Sequence, residues 1–237
     1  MLAGLQSWAA DGTAQVDTSF PNMGLRQKVT NPSGPFVVNA RNPVVFHTGS
    51  AHLESIEPNG SDVWTYSFNL ASGNQTFYIF DDMASIPSDA TGCGIESFDA
   101  NGARIFTSVH PPLRIVHASQ LPAQGHIGSE LHAYHGGGGA PGGTAEGSPY
   151  GPIFSWNGLP SGQYAGLLTT YRYGAIGSST SVSYGDPMYE VLSVGPAGFS
   201  VSGMNIGNGS EDFGGFLGSS YDAGYLPMVV LIDVTGY

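Results

Sequence analysis

Short runs of β-branched and aromatic residues, broken at close intervals by Gly and Pro, set the pattern of this chain. Phe36-Val37-Val38, Val44-Val45-Phe46, Val63 to Phe68, Thr76 to Phe80, Leu167 to Tyr173 and Met228 to Val234 read as strands. In Val63 to Phe68 the side chains alternate. Val63, Thr65 and Ser67 take one face and Trp64, Tyr66 and Phe68 the other, which predicts a strand with an aromatic, core-facing side. The 36 Gly and 16 Pro interrupt nearly every window long enough for a stable helix. The pattern therefore predicts an all-β protein.

The same pattern occurs twice. Residues 4–12 read GLQSWAADG and residues 94–102 read GIESFDANG. Gly4, Leu5, Ser7, Trp8, Ala10 and Gly12 match Gly94, Ile95, Ser97, Phe98, Ala100 and Gly102. Each copy predicts a hairpin, because Asp11-Gly12 and Asn101-Gly102 supply the positive-φ residues of a tight turn. Return strands follow at Ala14 to Thr18 and at Arg104 to Thr107, and then a Leu25-Arg26 or Leu113-Arg114 step. Each half also closes on an apolar strand ending in an acid, Phe77 to Asp81 and Val229 to Asp233. The expectation is two related, sandwich-like antiparallel modules at residues 1–88 and 89–237. The second carries a Gly-rich insertion near 120–160, with Gly136 to Gly139 and Pro141-Gly142-Gly143 forming a loop.

Composition narrows the function. Charged residues make up 10% of the 237, well below the roughly 25% of ordinary soluble domains. The 12 Phe, 12 Tyr and 3 Trp supply ample core material and argue against disorder. The longest aliphatic run, Met228 to Ile232, is too short to span a bilayer, so no membrane insertion is expected. Burial of surface against neighbouring proteins is the reading left. The net charge of −12, with only Arg26, Lys28, Arg41, Arg104, Arg114 and Arg172 basic, disfavours nucleic-acid binding. The single Cys93 excludes an intrachain disulfide, and Met1 to Gln6 lacks the features of a signal peptide, so synthesis in a cytoplasm is expected.

Candidate chemistry is sparse. His132 and His135 lie near His126 and Glu130, a set that suits a metal by type. The adjoining glycines disfavour the helix that such spacing needs, so these read as loop histidines, with no metal or cofactor expected. Asp99-Ala100-Asn101-Gly102 opens like a calcium loop but lacks the later ligands, and reads as a turn. Asp81-Asp82 and Glu211-Asp212 pair carboxylates, yet neighbours on a strand point to opposite faces and cannot flank one bond as a glycosidase requires. No nucleophile elbow, phosphate loop or His-Glu-x-x-His motif occurs, and no enzyme is expected. Arg26 and Arg114, at matching repeat positions, suggest bidentate pairs with carboxylates within a module or across a subunit boundary. Tyr134, Tyr150, Phe154 and Trp156, set around the glycines, suit contact with a partner.

GLQSWAADG with its later Leu-Arg step resembles a family of minor tail proteins of long-tailed bacteriophages. Those proteins begin Gly-Leu-Gln, alternate through an aromatic residue into an Asp/Asn-Gly turn, and return to a short arginine-containing segment. GIESFDANG through Pro111-Pro112-Leu113-Arg114 matches that pattern at least as well. The resemblance covers residues 4–26 and 94–114 and carries no catalytic residues. It implies a structural component of the virion in the distal tail or baseplate, bound to other tail proteins and oligomeric with itself. The alternative it leaves is a tail-tip protein that binds a host-surface glycan or protein, with Tyr164, Tyr171, Tyr173 and Tyr184 as sugar platforms.

Overall fold

A computed structural model describes residues 6–8, 14–17, 22–72, 74–87, 94–99, 101–121, 149–171, 173–176, 184–205, 211–212 and 227–237. Among these residues there is no helix, and the architecture is all-β. The first half consists of a hairpin, β1 (Gln6–Trp8) and β2 (Ala14–Asp17), followed by β3 (Met23–Thr30), β4 (Phe36–Asn39), β5 (Val44–His47), β6 (Gly49–Pro58), β7 (Val63–Ser72) and β8 (Thr76–Asp82). The second half opens with a hairpin, β9 (Glu96–Phe98) and β10 (Arg104–Thr107). It continues through β11 (Ile115–Gln120), β12 (Pro149–Trp156), β13 (Tyr164–Leu168), β14 (Tyr173–Ile176), β15 (Tyr184–Gly195), β16 (Gly198–Asn205), β17 (Glu211–Asp212) and β18 (Met228–Asp233).

Both principal sheets read as palindromes. One runs β11-β18-β13-β5-β8-β3, and the other runs β12-β16-β15-β6-β7-β4, with β14 and β17 added on β15. Each half thus contributes three strands to each sheet in the same topological order, and the halves join where β5 meets β13 and β6 meets β15. The first sheet also touches itself at its edges. Gly24 bridges Pro112, the Leu25 N–H donates to the Pro111 carbonyl at 2.9 Å, and the Leu113 N–H donates to the Met23 carbonyl at 2.8 Å. These contacts are reciprocal, since Leu25 and Leu113 occupy matching places in the repeat.

That curl buries the first sheet on both faces. Phe77 and Ile79 of β8 face a core shared with Val38, Ala51 and Tyr66 of the opposing sheet. Val229 and Leu231 of β18 face a second core with Leu192, Phe199 and Val201. The alternate residues, Tyr78, Phe80 and Ile232, meet Phe46, Ala165 and Leu167 in a third core inside the curl. A strand with two buried faces needs apolar residues at every position rather than at every second one. This is why Phe77 to Phe80 and Val229 to Ile232 are unbroken apolar runs. Trp64, Tyr66 and Phe68 of β7 take the core side, as their alternation predicts.

Three details depart from the sequence reading. The run Leu167 to Tyr173 is not one strand: β13 ends at Leu168 and β14 begins at Tyr173. Thr169 ties both its backbone and its hydroxyl to the start of β18, the N–H to the Met228 carbonyl and Oγ1 to the Met228 N–H, each at 3.0 Å, and the chain bends there. The Gly-rich insertion is narrower than 120–160, because Leu121 is core and β12 already occupies Pro149–Trp156. At the second hairpin only Gly102 has positive φ, at 82°. The Gly102 N–H bonds the Asp99 carbonyl and the Asp99 N–H bonds the Ala103 carbonyl, a three-residue loop closed by a bulge rather than a two-residue turn. The first hairpin's turn, Asp11-Gly12, lies outside the described residues.

The close approach of the sheets at the join depends on Gly166. A Cβ there would meet Val194 Cγ2 at 2.7 Å, Leu192 Cδ2 at 3.0 Å and Leu231 Cδ2 at 3.1 Å. Gly166→Ala is therefore expected to lower stability by about 1–3 kcal/mol through overpacking. Gly34→Ala, where a Cβ meets nothing within 4 Å, should stay within about 0.5 kcal/mol. Urea unfolding of the two variants checks the pair.

Candidate functional site

The charged side chains of the described residues are largely engaged inside the chain. Arg26, at the bulge of β3, places Nη1 3.1 Å from Asp81 Oδ2 and 3.0 Å from the Ser85 carbonyl. Asp81, one residue before the end of β8, is fully buried and also accepts the backbone N–H groups of Arg41, Asn42 and Asp82 and the Ser85 hydroxyl. Burial raises its pKa, but the bonds from Ser85, Asn42, Arg41 and Asp82 outweigh that, and the carboxyl sits below its ordinary value. Arg114 repeats the pairing in the second half, with Nη1 3.1 Å from Asp233 Oδ2, but that arginine side chain is 64% exposed. Each arginine gives one nitrogen to its carboxylate, so neither pair is the bidentate fork that the sequence suggested.

Arg104 does what no composition argument foretold. It is buried at the base of the β9–β10 hairpin. Its Nε and Nη2 donate to the Met83 carbonyl at 3.3 and 3.2 Å, Nη2 also reaches the Ile86 carbonyl, and Nη1 binds Glu96 Oε1 at 3.0 Å. Asn22 adds a bond from Nδ2 to the Ile105 carbonyl at 3.0 Å. The far turn is tightened by Asp99, whose Oδ1 accepts the Asn101 and Ala103 N–H groups, each at 2.8 Å. That carboxylate serves the turn and not a cation.

The hairpin so fixed carries apolar side chains outward. Ile95 is 68% exposed, Phe98 53% and Val109 44%. The Ile95 N–H bonds Ser108 Oγ, and the Ser108 N–H bonds the Ile95 carbonyl, so Ile95 sits opposite Ser108 and Val109 lies one residue further on.

The other expected residues are dispersed. Trp156 stacks on His117 with ring centroids 3.7 Å apart and packs against the second core, so part of its indole lies inside the protein. Tyr150 lies in β12; Tyr134, His126, Glu130, His132 and His135 are outside the described residues. The tyrosines are spread over several elements. The Tyr164 hydroxyl donates to the Pro160 carbonyl at 2.7 Å, Tyr171 packs edge-on to His52, and Tyr173 and Tyr184 belong to β14 and β15. A cavity of about 270 Å³ opens at the join of the halves, between Phe68, Ile56, Leu167 and Tyr171. Among the described residues no cluster of His, Cys, Asp and Glu is placed to hold a metal, and no helix is long and apolar enough to cross a membrane.

No family model, no curated protein and no solved structure matches this chain.

The two arginine–carboxylate pairs differ in burial and should differ in worth. Asp81→Asn leaves Arg26 and several N–H groups facing a neutral amide, and is expected to lower stability by about 2–4 kcal/mol. Asp233→Asn should cost less than about 1 kcal/mol, because its partner is solvated. The depressed Asp81 pKa adds a pH signature. Its contribution is full above the unfolded carboxylate value near ~4 and is lost as pH falls through the lower folded value. An acid limb of that kind in the wild-type stability curve, absent from Asp81→Asn, is the expected measurement.

Proposed function

We propose that the protein is a structural component of a bacteriophage tail, in the distal tail or baseplate region, working through protein–protein contacts. The observation that carries the reading is the β9–β10 hairpin, whose Ile95, Phe98 and Val109 face solvent while Arg104 locks its base. Exposed large apolar groups gathered on one projection suit a surface that a neighbour covers. Immobilising them beforehand lowers the entropy cost of association. The repeat supports the same reading, since Leu5 and Trp8 stand at the matching places of the first hairpin. The low charged fraction fits interface centres, which are depleted in charge.

An antibody against the protein should label the distal tail of intact particles of the encoding phage. Ile95→Ser with Phe98→Ser should leave the melting temperature of the isolated protein nearly unchanged, because both side chains are already solvated, yet reduce its incorporation into particles at least tenfold. Absence of the protein from purified particles, or wild-type incorporation of the double variant, would overturn the reading. Specific binding of the isolated protein on a glycan array would turn it toward host attachment.

A further inference from the structure

The join between the halves holds two buried histidines. The β5–β13 contact is the pairing of His47 with Gly166. The β6–β15 contact pairs Gly49, Ser50 and Ala51 with Val194, Ser193 and Leu192, and the Ser50 and Ser193 hydroxyls bond each other across it at 2.7 Å. His47 is 1% exposed, lies against the rings of Phe68 and Phe77, and donates its Nδ1–H to the Thr48 carbonyl at 3.3 Å. Its Nε2 is buried without a partner among the described residues. His52 is 4% exposed and reaches across the join, donating Nδ1–H to the Glu190 carbonyl at 2.9 Å, with its ring edge-on to Tyr171 at 4.8 Å.

Packing alone does not require a histidine at position 47. His47 pairs with Phe77, four residues before Asp81, and its counterpart Leu168 pairs with Val229, four residues before Asp233. Leu168 fills the equivalent slot of the second half at 1% exposure. An ionisable ring therefore occupies, at the join, a place that an apolar side chain fills elsewhere in the same fold.

We propose that the join is an acid-sensitive joint, in which protonation of His47, aided by His52, loosens the β5–β13 and β6–β15 contacts while the strand pairings within each half are kept. The inference does not depend on the tail reading. Desolvation holds the folded His47 pKa down at about 4 and lowers that of His52, so both rings are neutral while the join is closed. An opened join hydrates the rings and returns them toward an ordinary value near ~6.5. The open form then binds more protons, and opening is favoured as pH falls from about 6.5 to about 4. For His47 alone, the shift from 6.5 to about 4 multiplies the opening equilibrium by roughly 30 at pH 5 relative to pH 7.5.

The neighbouring groups set which ring dominates. Against His47 stand Phe68 of β7, Phe77 of β8, Gly166 of β13 and the phenol of Tyr66 across the cavity at the join, and among the described residues no carboxylate acts on it. His52 faces Tyr171 and bonds the backbone carbonyl of Glu190 on β15, is the less buried of the two rings, and has Glu54 and Glu57 exposed on its own strand. His47 is therefore the stronger trigger.

Amide hydrogen exchange on the full chain at pH 7.5 and pH 5.0, corrected for intrinsic rates, reads the joint directly. The amides of His47, Gly166, Ala51 and Leu192 should lose protection by roughly 30-fold, while those in the β3–β8 and β15–β16 pairings keep theirs. His47→Leu, which copies the Leu168 of the other half, should abolish most of that loss. Uniform loss of protection over join and cores, or the same loss in His47→Leu, would overturn the proposal. Should that variant not fold, the wild-type His47 ring proton followed by NMR decides the matter: a resonance titrating near pH 6.5 in the closed protein overturns it, and one still neutral at pH 5 supports it.

Discussion

The first sheet is buried on both sides, and most of the remaining structure follows from that. Strands β8 and β18 run between two cores each, so no position along Phe77 to Phe80 or Val229 to Ile232 is free to be polar. Burial of one such side chain is worth about 1.5–3 kcal/mol, and both sides of the sheet contribute. The cost appears where these strands emerge. Backbone N–H groups of the β4–β5 loop and of β8 itself converge near the end of β8, deep in the protein, and need an acceptor. Asp81 supplies it for Arg41, Asn42 and Asp82 at once, and Arg26 compensates its charge. At the end of β18 the same acid–arginine arrangement recurs nearer to solvent, where Asp233 accepts the Thr235 N–H and Arg114.

Much of this was legible in the chain. The apolar runs that end in acid, the alternation in β7 and the duplicated hairpin are short-range features, and they forecast an all-β protein of related sandwich-like parts. What escaped were features fixed by distant partners. Strand β6, Gly49–Pro58, carries Glu54 and Glu57 on its exposed outer part and a buried His52 within, so its propensity is weak and its pairing with β7 and β15 decides it. Strand β12 was hidden behind the glycines, since Phe154 and Trp156 become core only when Phe199 of β16 lies beside them. Arg104 gave no signal: its place in the first copy is held by Ala14, and its carbonyl partners come from the turn after β8.

The points where the two halves differ are informative for the same reason. A duplicated architecture solves its packing problems the same way twice, so a divergence that packing does not require is a place to look for use. Arg104 where the first copy has Ala14 turns one hairpin into a braced projection, and the apolar groups it presents are retained despite their exposure to water. His47, where the second half has Leu168, puts a titratable ring into an apolar slot at the join. Both substitutions weaken an otherwise hydrophobic solution locally. One is offset by hydrogen bonds to three carbonyl and carboxylate partners; the other, at Nε2, has no such offset among the described residues. That buried nitrogen lies beside a β5–β13 contact of a single residue pair, which is why the acid-sensitive joint is placed there.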